Sequence, residues 1–186
     1  MQHRPALCAL ALVLASGSAA VADGTFLQVD LSGQTQTLVA SGVWGRFGAE
    51  VVASKYEGGH DTGAALSFGI PLGSATLRLG PSIGWSDDKG TQTGGKVALE
   101  NYTATGFGGI YALGFYNTVD DAWFLLGQVS HASSGFGLEL SRGGSDNYHE
   151  STVAVQKRLG GGDLSLRGGY KFDSEEAFVG FSINTF

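Results

Sequence analysis

The sequence predicts an all-β protein made of antiparallel strands, and three observations lead to this prediction. Apolar side chains alternate with small or polar ones along most of the chain, and a period of two residues is that of a strand with one apolar face. No stretch beyond residue 22 repeats its apolar residues at helical spacing. Glycine supplies 31 of the 186 residues and proline only 3, so the composition fits strands and tight turns rather than a collagen repeat.

The remaining composition excludes several other classes of protein. Aromatic residues make up 11% of the chain and charged residues only 15%, which argues against intrinsic disorder. A single cysteine rules out a disulfide framework. The formal net charge is −6 and the chain has no basic run, so we expect no nucleic-acid partner. No residues have the spacing of a metal site or a phosphate-binding loop, and we expect neither a metal nor a cofactor.

The first element of the chain, residues 1–22, is predicted to be a secretory signal peptide. Arg4 precedes the apolar run Ala6–Ala15, and Ala20-Val21-Ala22 has the small-residue form of a cleavage site. A run of about ten apolar residues is too short to cross a bilayer as a helix. We therefore expect cleavage before Asp23 and a single mature domain over residues 23–186.

The strands are predicted from alternation, which is clearest in Ala75–Trp85. Every odd position there is apolar, and every even position is small or polar. Thr25–Ser32 and Gln36–Trp44 form a weaker hairpin that would raise the strand count from eight to ten. The eight firmer strands are Phe47–Tyr56, Ala64–Ile70, Ala75–Trp85, Phe107–Tyr116, Ala122–His131, Tyr148–Arg158, Leu164–Phe172 and Ala177–Ile183.

The face opposite the apolar residues indicates where the apolar face points. A strand face in water is usually rich in Lys, Glu and Thr, whereas this one is rich in Gly, Ser and Ala. Small residues suit the crowded interior of a narrow barrel whose apolar face meets lipid. We therefore predict an antiparallel up-and-down transmembrane β-barrel of 8–10 strands, with a soluble periplasmic barrel that binds a lipid or small ligand as an alternative. The charged residues expected to pair across the interior are Arg78, Arg158, Arg167, Lys171, Glu50 and Glu150.

Loop lengths predict an orientation for the barrel, because bacterial barrels have short periplasmic turns and longer outer loops. Residues 71–73, 117–121 and 160–162 are the predicted periplasmic turns. The outer loops would then be residues 57–62, 86–104 and 132–147, with 173–175 as a last outer turn. This assignment requires residues 136–142 to belong to an outer loop or to a strand extension, and it leaves Phe186 in the periplasm.

With this pattern and its C-terminal Phe186, the mature chain resembles the small outer-membrane β-barrel proteins of Gram-negative bacteria. The resemblance implies an outer-membrane location and contact with outer-membrane lipids and lipopolysaccharide. It also implies that the assembly machinery of the outer membrane recognises Phe186. We expect a monomer.

One group of residues suggests chemistry. His131 and Ser133 lie two apart on a predicted strand and so share a face, and Glu150 opens the next predicted strand. A serine nucleophile, a histidine base and an orienting acid form the acyl-transfer arrangement. This local pattern resembles the lipid A deacylase family, and the resemblance implies a carboxylic-ester hydrolase with these three residues in those roles.

Two functions from different classes therefore remain open at the level of the sequence. The leading interpretation is a non-enzymatic outer-membrane protein, acting through its outer loops or as a structural element of the envelope. The alternative is an esterase that acts on lipid A from the lipid-facing outer rim, with His131, Ser133 and Glu150 as its site.

Overall fold

The computed structural model describes residues 23–146 and 148–186, so the predicted signal peptide lies outside the described residues. Within those two ranges, no helix is long and apolar enough to cross a membrane. The chain forms twelve strands: β1 (Gly24–Ser32), β2 (Gln36–Trp44), β3 (Phe47–Tyr56), β4 (Gly59–Leu72), β5 (Ala75–Ser86), β6 (Gly90–Thr105), β7 (Gly108–Asn117), β8 (Ala122–His131), β9 (Phe136–Gly144), β10 (His149–Arg158), β11 (Leu164–Lys171) and β12 (Glu176–Asn184).

The twelve strands close into one antiparallel up-and-down barrel. Each strand pairs with its neighbours in the sequence, and β1 pairs with β12 from Phe26 opposite Asn184 to Ser32 opposite Phe178. The predicted fold class is confirmed, and the hairpin of β1 and β2 belongs to the barrel. Closure leaves no strand edge unpaired, which a sheet in lipid requires because no water is available to its backbone groups.

The predicted strand count of eight to ten was wrong, because two segments assigned to outer loops cross the barrel as strands. Residues 90–105 form β6 and residues 136–144 form β9. The first half of β6 is polar and glycine-rich, so it carries almost no alternation. In β9 the alternation is present, and its assignment to a loop follows only from the expectation that Phe186 lies in the periplasm. Because both segments cross, the strand number stays even, and Gly24 and Asn184 lie at the same end.

We call the end that holds Gly24 and Asn184 the termini end, and the opposite one the far end. The termini end carries the turns 45–46, 73–74, 106–107, 132–135 and 159–163, and the far end carries the turns 33–35, 57–58, 87–89, 118–121, 145–148 and 172–175. The predicted long loops are therefore replaced by turns of two to five residues. Residues 118–121 lie at the end opposite to the predicted one.

Most large apolar residues of the strands point outward, and most charged ones point inward. In β9, Leu138 and Leu140 are exposed, at 47% and 58%, whereas the intervening Glu139 is buried at 9%. A soluble barrel would place its apolar face in an inner core, so the soluble alternative does not fit this structure. Other large apolar side chains exposed on the outer face are Leu31, Leu38, Phe47, Val51, Leu66, Phe68, Leu99, Leu125, Val155, Leu166 and Val179.

Candidate functional site

His131 and Ser133 lie together at the termini end of the barrel, where β8 ends. The Ser133 hydroxyl is 3.3 Å from Nδ1 of His131, and the Ser134 hydroxyl is 2.9 Å from the same nitrogen. The backbone N–H of Ser134 also donates to Nδ1 at 3.3 Å, so Nδ1 is an acceptor. The structure therefore brings the predicted base and nucleophile together, at the same end as Phe186 rather than at the predicted outer rim.

Glu150 lies at the other end of the barrel and does not join this pair. It is paired with Gly143, which is paired with Phe124, and His131 is seven residues farther along β8. Seven strand residues span about 23 Å, so the predicted triad is not assembled. The predicted outer loop between Ser133 and Glu150 is in fact occupied by β9, and this strand runs from the termini end to the far end of the barrel.

The Glu150 carboxylate holds the far-end turns of β10 and β11 together. It accepts the backbone N–H of Asp173 at 2.8 Å and those of Ser174 and Ser151 at 3.1 Å. The Tyr148 hydroxyl lies 3.3 Å away. Burial and the adjacent Glu150 carboxylate raise the pKa of Tyr148 to about 12, so this hydroxyl keeps its proton and donates. Glu150 is a turn-stabilising residue in this arrangement.

The interior of the barrel, its lumen, contains two groups of charged side chains on opposite walls. The first, which we call the Arg167 cluster, spans β9, β11 and β1. Arg167 is 3.1 Å from both Asp30 and Glu139 and also donates to Gln28. Its side chain is only 3% exposed. Two carboxylates around one buried guanidinium give this wall a net negative charge, but the charged groups themselves are largely shielded from solvent.

The second group, which we call the Lys96 wall, spans β3 to β8. The Lys96 ammonium reaches over β4 and β5 to pair with Glu50, and it lies 3.6 Å from the centre of the Phe115 ring. Phe115 stacks on Phe124, with ring centres 5.6 Å apart. Next to them Arg78 pairs with Glu100 at 2.6 Å. This wall therefore combines two ion pairs with an aromatic surface.

Most of the sequence-predicted lumen residues take part in these contacts. Arg78, Arg167 and Glu50 do so as described, and Lys171 lies 3.9 Å from Glu176. Their partners Asp30, Lys96, Glu100 and Glu139 were missed, three of them because they lie on β6 and β9. The missed signal is a charged residue between apolar neighbours, as in Val29-Asp30-Leu31 and Leu138-Glu139-Leu140.

The lumen is open to water on the side of the Lys96 wall. Val52 lies two residues from Glu50 on β3 and therefore faces inward as well. This valine is nevertheless 37% exposed. The Glu50 side chain is 34% exposed, against 12% for Asp30 and 11% for Glu139 on the opposite wall. One wall is thus packed, whereas the inner face of the other is accessible to solvent.

At the far end the turn 118–121 folds into the lumen. Val119 is 7% exposed and packs on the inner face of β5 and β6, where Gly84 and Gly94 leave room for it. Its backbone N–H donates to Asn117 at 3.0 Å, and that side chain in turn accepts the Ser82 hydroxyl at 2.7 Å. The turn therefore narrows this mouth of the barrel.

The two ends of the barrel differ in charge. The far-end turns contain eight carboxylates and one lysine, whereas the termini-end turns contain one arginine and one aspartate. The lysine, Lys89, bridges Asp120 at 2.8 Å and Asp146 at 3.8 Å. No group of three or more metal-ligating side chains with the geometry of a metal site occurs among residues 23–146 and 148–186. The far end is a diffuse acidic mouth.

No family model and no curated protein matches the chain. The solved structures that are similar in fold include two porins. One, titled "KdgM porin", has a TM-score of 0.57 and 12% identity over 86% of this chain and 98% of its own. The other is a NanC porin in a rhombohedral crystal form, with a TM-score of 0.50 and 15% identity over 88% of this chain and 98% of its own. At these identities the likeness shows a shared closed β-barrel fold.

Proposed function

We propose that this protein is a narrow outer-membrane channel for small polar solutes, with a preference for cations. The observation that carries the proposal is the charge of the path. Eight carboxylates and one lysine lie in the turns of the far end, and the ion pairs of the lumen behind them comprise five carboxylates and four cations. A passage lined by an excess of one sign raises the local concentration of the opposite ion.

The outer surface supports the membrane part of this proposal. Its exposed leucines, valines and phenylalanines form a band that would be unstable in water and is stable against lipid acyl chains. The predicted location, the outer membrane, agrees with the porin titles of the two similar structures. If Phe186 lies in the periplasm, the acidic far end faces the outside and is the mouth that solutes enter.

The number of strands supports the channel part. Eight strands enclose a space that side chains fill, and sixteen to eighteen enclose a wide aqueous pore. Twelve strands lie between these limits. The exposed inner face at Val52 and Glu50 is the wall of such an intermediate passage. Turns of two to five residues offer little surface for a function carried by outer loops.

The test is ion selectivity of the purified protein in planar lipid bilayers. In a tenfold gradient of KCl around 0.1 M we expect a reversal potential with the sign of potassium preference. The preference should weaken at 1 M salt, where the Debye length falls to about 3 Å. A wild-type protein that conducts no ions, or that prefers chloride, would contradict the proposed function.

A charge-neutral variant of the far end gives the matched comparison. Glu57, Asp88 and Glu175 are exposed turn residues at that end. The triple variant Glu57→Gln, Asp88→Asn, Glu175→Gln should lose a large part of the potassium preference at 0.1 M salt. Asp163→Asn removes one carboxylate from the termini end and should leave the selectivity nearly unchanged.

A further inference from the structure

We infer that the Lys96 wall is a binding site for the ammonium or guanidinium group of a small organic cation. The inference rests on the proposed channel and names the class of solute that it would favour. Glu50 and the Phe115 ring form the site, and the ammonium of Lys96 occupies it in the absence of a solute.

The position of Lys96 shows that this wall accepts an ammonium group. Its nitrogen pairs with the Glu50 carboxylate and at the same time lies 3.6 Å from the centre of the Phe115 ring. A carboxylate and the face of an aromatic ring are the two groups that protein sites use to hold organic cations. The ammonium group of Lys96 therefore occupies the position that the ammonium group of a bound solute would take.

The aromatic part of the site is larger than one lysine needs. Phe115 and Phe124 stack at an interplanar angle of 29°, and both project inward. Phe124 packs over Gly143, where an added Cβ would lie 2.7 Å from its ring, and Phe115 lies between Phe124 and Lys96. An apolar surface thus lies next to the Glu50–Lys96 pair. It offers the hydrocarbon part of an organic cation a surface on which to pack, which an inorganic ion does not use.

The site is accessible from the lumen. The Glu50 carboxylate is 34% exposed while the Lys96 side chain that covers it is 10% exposed, so one side of the carboxylate remains open to water. Val52, two residues farther along β3, leaves an exposed inner face beside it. An entering cation can thus contact Glu50 before Lys96 leaves.

The Arg167 cluster on the opposite wall differs from the Lys96 wall in its access to water. Asp30 and Glu139 hold a guanidinium too, but Arg167 is 3% exposed and both carboxylates are buried around it. An ion pair that is closed to water on every side cannot exchange its cation with a solute. Exchange is therefore confined to the Lys96 wall.

The experiment is block of potassium current by n-butylammonium in planar bilayers at 0.1 M KCl. We expect a concentration-dependent block in the wild type, and none from butyrate, which has the same carbon chain and the opposite charge. Glu50→Gln should raise the half-blocking concentration about tenfold or more, since it removes a charge-assisted hydrogen bond. Phe115→Leu should raise it up to about fivefold, because the cation–π contact is lost.

Lys96→Gln separates binding from a purely structural role. It removes the competing ammonium, so the half-blocking concentration should fall several-fold, opposite in sign to the effect of Glu50→Gln. A structural ion pair would make both variants behave alike. Asp163→Asn is a matched control in an exposed turn at the termini end, and its block should equal that of the wild type.

The outcomes distinguish this inference from the proposed function. A channel that prefers potassium but shows no block by butylammonium overturns the inference alone, as does block that is unchanged in both Glu50→Gln and Lys96→Gln. A protein that conducts no ions overturns the proposed function. Each variant is first shown to be folded by its retarded or accelerated mobility in unheated SDS gels.

Discussion

At the scale of single residues, the position of a side chain along its strand decides what it can do. His131 and Ser133 are neighbours in sequence and remain neighbours in the structure, with 3.3 Å between hydroxyl and imidazole. Glu150 is separated from them by a complete strand, which carries it to the other end of the barrel. The proximity of two residues that are neighbours in sequence can be inferred from the sequence alone. Whether a distant residue such as Glu150 joins them depends on how many strands separate it from the pair.

The first prediction concerns Ser133. Because Glu150 lies about 23 Å along the wall from His131, the imidazole lacks the predicted orienting acid. Ser133→Ala should leave the acylation of lipid A identical to that in cells expressing the wild type, as measured by mass spectrometry of extracted lipid A. A shortened acyl pattern that appears with the wild type and disappears with Ser133→Ala would restore the ester-hydrolase alternative.

The second prediction concerns Glu150, whose carboxylate accepts three backbone N–H groups at 2.8–3.1 Å. Glu150→Gln replaces one accepting oxygen by a donor, which should cost about 1–3 kcal/mol of folding free energy. The measurement is the temperature at which the folded band disappears in SDS gels. Glu175→Gln, in the exposed turn nearby, is the control and should melt like the wild type.

At the scale of elements, β6 and β9 explain most of the difference between expectation and structure. Residues 90–95 of β6 are glycine, threonine and glutamine on both faces, so alternation is absent where the strand extends beyond β7. What makes this segment a strand is its hairpin pairing with β5, which covers residues 90–101, from Ser86 opposite Gly90 to Ala75 opposite Asn101. The pairing is made by backbone hydrogen bonds, so it does not require side chains that alternate.

The third prediction concerns a glycine of β5, the strand that pairs with β6. A Cβ on Gly80 in β5 would lie 1.9 Å from the backbone oxygen of Leu66 in β4, so the two strands would have to move apart. Gly80→Ala should therefore lose about 1–3 kcal/mol or more, seen as a lower midpoint of urea unfolding in detergent micelles. Gly127→Ala in β8 meets no atom within 4 Å and should unfold at the wild-type midpoint. Equal midpoints for the two variants would contradict the close approach of β4 and β5.

At the scale of the whole molecule, the two ends of the barrel differ in charge, just as the inner and outer faces of its wall differ in polarity. The far-end turns have a net charge of −7, from eight carboxylates and one lysine, and the termini-end turns are neutral. The neutral end holds Phe186, and the acidic end holds the turn that narrows the mouth at Val119. This polarity gives the proposed channel a direction in which a cation meets the carboxylates first.

The fourth prediction tests that direction in intact cells. Cysteine is absent from residues 23–186, so a single introduced thiol reports its own location once the predicted signal peptide, which contains Cys8, is removed. Asp88→Cys, in a far-end turn, should react with a membrane-impermeant maleimide added outside, and Asp163→Cys, at the termini end, should react only after the outer membrane is permeabilised. The reverse pattern would mean that the acidic mouth faces the periplasm.

Alternation alone is enough to predict the fold class, the inside and outside of each firm strand, and the lumen position of Arg78, Arg167, Lys171 and Glu50. Alternation is local and survives wherever one face meets lipid and the other does not. The number of strands, the end at which His131 lies and the partners of the lumen cations require the paired strands of the folded barrel. The pairing of Lys96 with Glu50 depends on the register of β3, β4, β5 and β6, which brings residues 46 apart in the sequence to one wall, and no neighbouring residue of either one encodes it.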